Sequence, residues 1–167
     1  MGRSKKSPGG TPATRALTRV GVEFTVRSYD HDPAVAAHGS YGEEAAAALG
    51  VEPARVFKTL LARVDGDLAV AIVPVTGQLD LKAFAHALRG KRAQMADPAD
   101  AERVTGYVVG GISPVGQKRR LPTVLDASAL DHATVLVSGG RRGMDIELAP
   151  ADLVAAADAR VAPVSRS

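Results

Sequence analysis

Apolar residues recur along this chain with two periods, and the switches between them mark out its elements. Alternation over residues 22–29, 56–64 and 68–73 predicts strands. Asp65-Gly66 separates the last two and signals a hairpin. Thr11-Pro12 reads as an N-cap followed by proline in the first helical turn, opening a helix that runs to Val20 and stops at Gly21. Ser40 and Glu43 match a capping box, with a helix continuing through the alanines to Leu49. Asp80 caps a helix over residues 81–88 closed by Gly90, and Asp97-Pro98 opens another closed by Gly106. Tyr107-Val108-Val109 reads as a short buried strand. Residues 121–125, 134–137 and 144–148 give further strands, with residues 138–143 as the loop joining the last two. Pro150 begins a closing helix. No repeat appears and no linker divides the chain, so the pattern predicts one α/β domain over residues 11–167. Residues 1–10, rich in Gly, Ser, Pro and Lys, read as a disordered basic tail.

Composition narrows the chemistry. Only 4% of the residues are aromatic and there is no Trp, so the core must be built from Val, Leu and Ala. With no Cys there is no disulfide, no thiolate metal site and no thiol nucleophile. Nothing is long and apolar enough to span a membrane, and no apolar segment precedes Ala13, so the cytoplasm is the expected compartment. The net charge of +3 resides in Arg3, Lys5 and Lys6; the other 18 basic residues balance 18 acidic ones. Any nucleic-acid contact must therefore use a local patch. Asp30, His31 and Asp32 are adjacent and diverge on an extended chain, while His38, His86 and His132 lack ligand spacing, so neither a metal nor a cofactor is expected.

The candidate chemistry centres on a glycine-rich run. Gly106, Gly110, Gly111 and Gly116 punctuate it, and Lys118, Arg119 and Arg120 follow. Bare backbone beside three cations suits a ligand with a carbonyl and a phosphate; a plain loop with a solvated basic end fits equally. Gly111 and Gly116 have P-loop spacing, but Gln117-Lys118-Arg119 stands where Lys-Ser/Thr belongs. Ser113 lacks the second glycine of a nucleophile elbow. Lys58 lies in an apolar strand, on the face of Val56 and Leu60, where it must snorkel, pair or serve a pocket. Tyr29 at a strand end suits either a core edge or a pocket hydroxyl. Asp145, between Met144 and Ile146, reads as a surface carboxylate or the partner of an arginine.

Three motifs in order, Phe57-Lys58-Thr59-Leu60, the run from Gly106 to Gln117 containing Gly110-Gly111-Ile112-Ser113-Pro114, and Val137-Ser138-Gly139-Gly140-Arg141-Arg142-Gly143, make the chain resemble the YbaK-like Cys-tRNA(Pro) deacylases. The wider group includes the editing domain of bacterial prolyl-tRNA synthetase. The resemblance covers about residues 11–163 and implies a compact domain with a mixed, barrel-like curved sheet surrounded by helices. It implies a trans-editing enzyme that removes cysteine from mischarged tRNA(Pro), the substrate thiol attacking its own ester. Lys58, Gly110 and Gly111 would then be catalytic, the glycine amides receiving the oxyanion. Tyr29, Phe57, Thr59, Ser138, Gly139 and Asp145 would bind the aminoacyl group. Lys118, Arg119, Arg120, Arg141 and Arg142 would meet acceptor-end phosphates. The implied partners are aminoacylated tRNA and prolyl-tRNA synthetase. Deacylation of Ala- or Ser-tRNA, or a non-catalytic tRNA-binding module, are the alternatives.

Overall fold

The computed structural model describes residues 10–34 and 41–167. Residues 1–9 of the tail and the proposed cap at Ser40, with His38, lie outside these residues. Five α-helices are described: α1 (Pro12–Val20), α2 (Tyr41–Leu49), α3 (Leu81–Ala87), α4 (Pro98–Thr105) and α5 (Pro150–Ala157). The strands are β1 (Thr25–Ser28), β2 (Phe57–Val64), β3 (Asp67–Pro74), β4 (Gln78–Leu79), β5 (Ala93–Met95), β6 (Thr123–Asp126), β7 (Val135–Arg141), β8 (Met144–Leu148), β9 (Arg160–Ala162) and β10 (Ser165–Arg166).

The expected barrel-like sheet is instead a five-stranded sheet, β5-β2-β3-β6-β9, a three-stranded sheet, β1-β8-β7, and a β4–β10 ladder. No closed barrel forms among the described residues. The larger sheet is mixed: β2 pairs antiparallel with β3 and β5, while β3–β6 and β6–β9 are parallel. A parallel bridge between Val56 and Leu136 joins the two sheets. β3 is buried on both faces. Val70 and Ile72 enter one core cluster with Leu17, Val104 and Ile146; Ala69, Ala71 and Val73 enter another with Phe84 and Val164. This alternation is the two-residue period of the sequence read in space.

Local signals hold where they act within a few residues. Thr11 accepts from the Thr14 N–H and Gly21 closes α1 in the left-handed conformation, as Gly106 closes α4. Other expectations are corrected. At the end of α3 the left-handed residue is Arg89, with φ of 61°, one position before Gly90. β1 is shorter than expected: it begins at Thr25, which pairs with Glu147 of β8. Residues 138–141 belong to β7, which bulges between Ser138 and Arg141 and turns tightly into β8. Tyr107-Val108-Val109 is not a strand: Val108 is exposed, the Val109 N–H donates to the Glu102 carboxylate at 2.8 Å, and there is no ladder partner among the described residues. No helix among the described residues is long and apolar enough to cross a membrane.

Candidate functional site

A cavity of about 300 Å³ lies where the two sheets meet. Residues 57–61 of β2 all line it, consecutively. The pairing explains this. β3 covers β2 along its whole length, but β5 covers only Ala62, Arg63 and Val64, so the first half of β2 has an open edge on that side. Tyr29, just past β1, Ser138 on β7 and Asp145 on β8 line the cavity from the smaller sheet. Ser138 and Asp145 are cross-strand partners. Gly110 and Tyr41 contribute from a turn and from the start of α2.

The walls are mainly apolar, and their polar groups stand out. The Lys58 ammonium, half-buried, forms no ion pair with any described residue. Eight polar or charged side chains are buried among the described residues. Thr11, Thr14, Glu44, Thr105, Ser113, Thr123 and Asp126 all hydrogen-bond. Asp145 does not. Its cross-strand neighbour Arg27 turns instead to Glu147, at 2.6 Å, which Arg55 also holds at 2.8 Å. Burial alone raises the Asp145 carboxyl to about 7. Burial, with the charges of Asp145 and Glu44 adding to it, raises Tyr29 to about 12. The Thr59 hydroxyl oxygen is buried with no hydrogen-bond partner.

The cavity therefore gathers Tyr29, Phe57, Lys58, Thr59, Gly110, Ser138 and Asp145. Gly111 and Gly139 do not line it. The Gly111 N–H donates to the Val108 carbonyl at 2.8 Å, and a side chain at Gly111 would meet the Arg141 backbone at 2.7 Å. Gly110 has φ of 90°, and its own N–H hydrogen-bonds no described residue. Gly139 accepts the Thr11 hydroxyl and packs on Met144. Ser138 is not poised as a nucleophile: its hydroxyl oxygen accepts the Gly140 N–H, and no described histidine lines the cavity.

The basic residues are dispersed. Lys118, Arg119 and Arg120 are not on the cavity wall; Arg120 borders a separate hollow with Arg19 and pairs at the surface with Asp158. Arg141 and Arg142 are exposed beside the Gly110 turn, but Arg142 is committed to protein contacts: two of its nitrogens donate to the Val109 carbonyl, at 2.9 and 2.7 Å. Sequence reasoning missed Tyr41. The available signal was scarcity: the chain has three tyrosines, of which two line this cavity and the third, Tyr107, opens the Gly110 turn and donates to the Val115 carbonyl at 2.7 Å. Among the described residues no three His, Cys, Asp or Glu gather as a metal site.

Residues 37–156 match the family profile of the aminoacyl-tRNA editing domain. A protein of Enterococcus faecalis, provisionally named Cys-tRNA(Pro)/Cys-tRNA(Cys) deacylase EbsC, is 39% identical over 125 residues, 74% of this chain and 76% of its own. A proline–tRNA ligase of Streptococcus suis is 30% identical over 101 residues, which are 60% of this chain but 16% of that enzyme. A crystal structure described as a candidate trans-editing enzyme for prolyl-tRNA synthetase superposes with a TM-score of 0.82 at 26% identity, covering 98% of this chain and 100% of that one.

Proposed function

Because the chain belongs to the aminoacyl-tRNA editing domain family, we propose that it is a trans-editing deacylase that removes cysteine from mischarged tRNA(Pro). The observation that carries this reading is the unpartnered Asp145 carboxyl, buried in a small apolar cavity that also holds the unpaired Lys58 ammonium. A small aminoacyl ester has the complementary groups: an α-ammonium for Asp145, and a carbonyl or 3′-terminal phosphate for Lys58. Gly110 supplies the free amide that would meet the developing oxyanion, while Gly111 shapes the turn.

No described side chain on the wall is equipped as a nucleophile, so the reaction falls to the substrate. Its thiol sulfur attacks the ester carbonyl carbon. The new S–C bond forms as the bond to the tRNA ribose oxygen breaks, and the thiol proton passes to that oxygen. Free tRNA and a cyclic thioester leave. Holding a nucleophile against its own ester can supply roughly 7–11 kcal/mol of the barrier. The lone Thr59 hydroxyl suits a substrate side chain bearing a thiol or hydroxyl, which favours Ser over Ala as the second reading. With the charge balanced outside residues 1–10, selection of the tRNA belongs to a partner, in this reading prolyl-tRNA synthetase.

One experiment tests the whole: single-turnover deacylation of tRNA(Pro) and tRNA(Cys) charged with Cys, S-methyl-Cys, Ser or Ala, with and without the synthetase. Fast loss of Cys, near-silence of S-methyl-Cys, and a narrowing to tRNA(Pro) on adding synthetase are expected. Equal rates for all four amino acids would reject thiol participation and point to an activated water. Rejection of Cys-tRNA(Cys) by the isolated protein would remove the need for a partner.

A further inference from the structure

The exposed arginine after the β7 bulge has contacts that a phosphate-binding side chain would not need. The Nε and one Nη of Arg142 fork onto the Val109 carbonyl, at 2.9 and 2.7 Å. Its guanidinium carbon lies 5.1 Å from the centroid of the Tyr41 ring. Both groups press on the Gly110 turn: a side-chain carbon at Gly110 would sit 2.7 Å from the Tyr41 ring and 2.9 Å from the Arg142 Nε. The turn is held from the other side as well, where Glu102 accepts the Val109 N–H at 2.8 Å. A His31–Glu44 contact of 2.8 Å and the neighbouring ring of His31, 5.7 Å from that of Tyr41, brace the tyrosine's helix.

We propose that Arg142 is a positioning residue, whose fork onto Val109 and stacking on Tyr41 fix the Gly110 turn at the cavity rim. Three elements distant in sequence, α2, the segment after α4 and the β7–β8 turn, meet at this contact. The planar fork satisfies one carbonyl with two donors and leaves the Gly110 N–H unengaged. A lysine could keep the charge but neither the fork nor the flat stacking face. The catalytic half of the inference rests on the deacylase reading; the structural half does not.

The test compares Arg142→Lys, Arg142→Ala and Tyr41→Leu, each first checked for a wild-type melting transition. Amide hydrogen exchange at Val109 and Gly111 reads the turn directly. It should quicken in all three variants and stay unchanged in β3. Single-turnover deacylation of Cys-tRNA(Pro) should fall roughly tenfold to a hundredfold, as small misplacements of reacting groups do. The tRNA affinity and its salt dependence should stay as in wild type. A phosphate contact gives the reverse pattern: Arg142→Lys near wild type, and Arg142→Ala binding tRNA more weakly with a salt slope smaller by about 0.9. That pattern, or unaltered exchange at Val109 and Gly111, overturns the proposal. Faster exchange with an undiminished rate overturns its catalytic half. A wild-type protein inactive on every charged tRNA refutes the deacylase reading instead, and the exchange data still decide the clamp.

Discussion

Asp145→Asn tests the least ordinary group in the cavity. Burial lifts the folded carboxyl from 3.8 to about 7, with no partner to offset the cost. Between those values the folded chain holds one proton that the unfolded chain has lost. Rising pH therefore favours unfolding: the contribution is whole below about pH 4 and is lost as pH climbs through about 7. The displacement corresponds to at most roughly 4 kcal/mol. Asn is neutral throughout and has no such slope. Asp126 and Glu147, held low by hydrogen bonds that outweigh their desolvation, tilt stability the other way, but they are common to both proteins and cancel in the difference. Urea unfolding of both proteins from pH 4 to pH 8.5 gives the difference curve. The variant should gain on the wild type by up to roughly 4 kcal/mol across that range, most of it between about pH 5 and 7. A flat curve, or one that falls, would show that Asp145 titrates as an ordinary carboxylate and would remove the main support for an ammonium site. The same logic bears on ligand: a cation beside Asp145 lowers its pKa, so binding of a non-hydrolysable aminoacyl analogue should be accompanied by proton release near pH 7 and weaken at pH 5.

Lys58→Ala should leave the melting transition in place while the deacylation rate falls about 10²–10³-fold, the usual cost of one transition-state electrostatic contact; a folded variant with an unchanged rate would remove Lys58 from the mechanism. Thr59→Val replaces a buried hydroxyl that has no protein partner with a methyl, so folding should be unharmed or slightly improved. Its effect should appear in specificity instead, as a threefold to tenfold smaller preference for Cys over Ala, the worth of one neutral hydrogen bond. An unaltered ratio would mean that the hydroxyl does not read the substrate.

The sequence is legible where a few neighbouring residues decide the outcome. The Thr11 cap, the Asp65-Gly66 hairpin and the Gly21 and Gly106 stops all act within a turn of chain, and each stands where its residue type requires. It is misleading where distant groups take over backbone partners. Tyr107-Val108-Val109 has strand composition, but the Val109 N–H goes to Glu102 and its carbonyl to Arg142, 33 residues away, so no ladder is needed. Ser138-Gly139-Gly140 looks like a loop because of its glycines. They serve instead to let a bulged strand pass close to Met144, Thr11 and Tyr107. The site was half visible: Lys58 is anomalous in any apolar strand, whereas Asp145 became so only in register. Read alone, it invited an arginine partner, and Arg27 is its cross-strand neighbour. Only the fold reveals that Glu147 takes that arginine and a second one as well.

That choice bears on why the cavity exists. This chain can satisfy buried polar groups thoroughly: Asp126 alone accepts from Ser128, Val164 and Ser165. Leaving a buried carboxyl without a partner costs free energy that a leucine at the same position would not. The Thr59 hydroxyl adds a smaller cost of the same kind. Unmet polar groups scattered by chance would fall across three core clusters and ten strands. Here both line one cavity, beside a lysine that no described carboxylate neutralises. Unmet polar groups concentrated in this way are characteristic of a surface kept ready for a ligand that completes it. Such a ligand must bring a cation for Asp145, a donor or acceptor for Thr59, and an oxygen for Gly110 and Lys58. It must also fit in about 300 Å³. A small α-amino acid with a thiol or hydroxyl side chain, esterified through its carboxyl group, meets every one of those demands; the free amino acid meets them too, but would set its carboxylate where only the ester's developing charge needs the Gly110 amide.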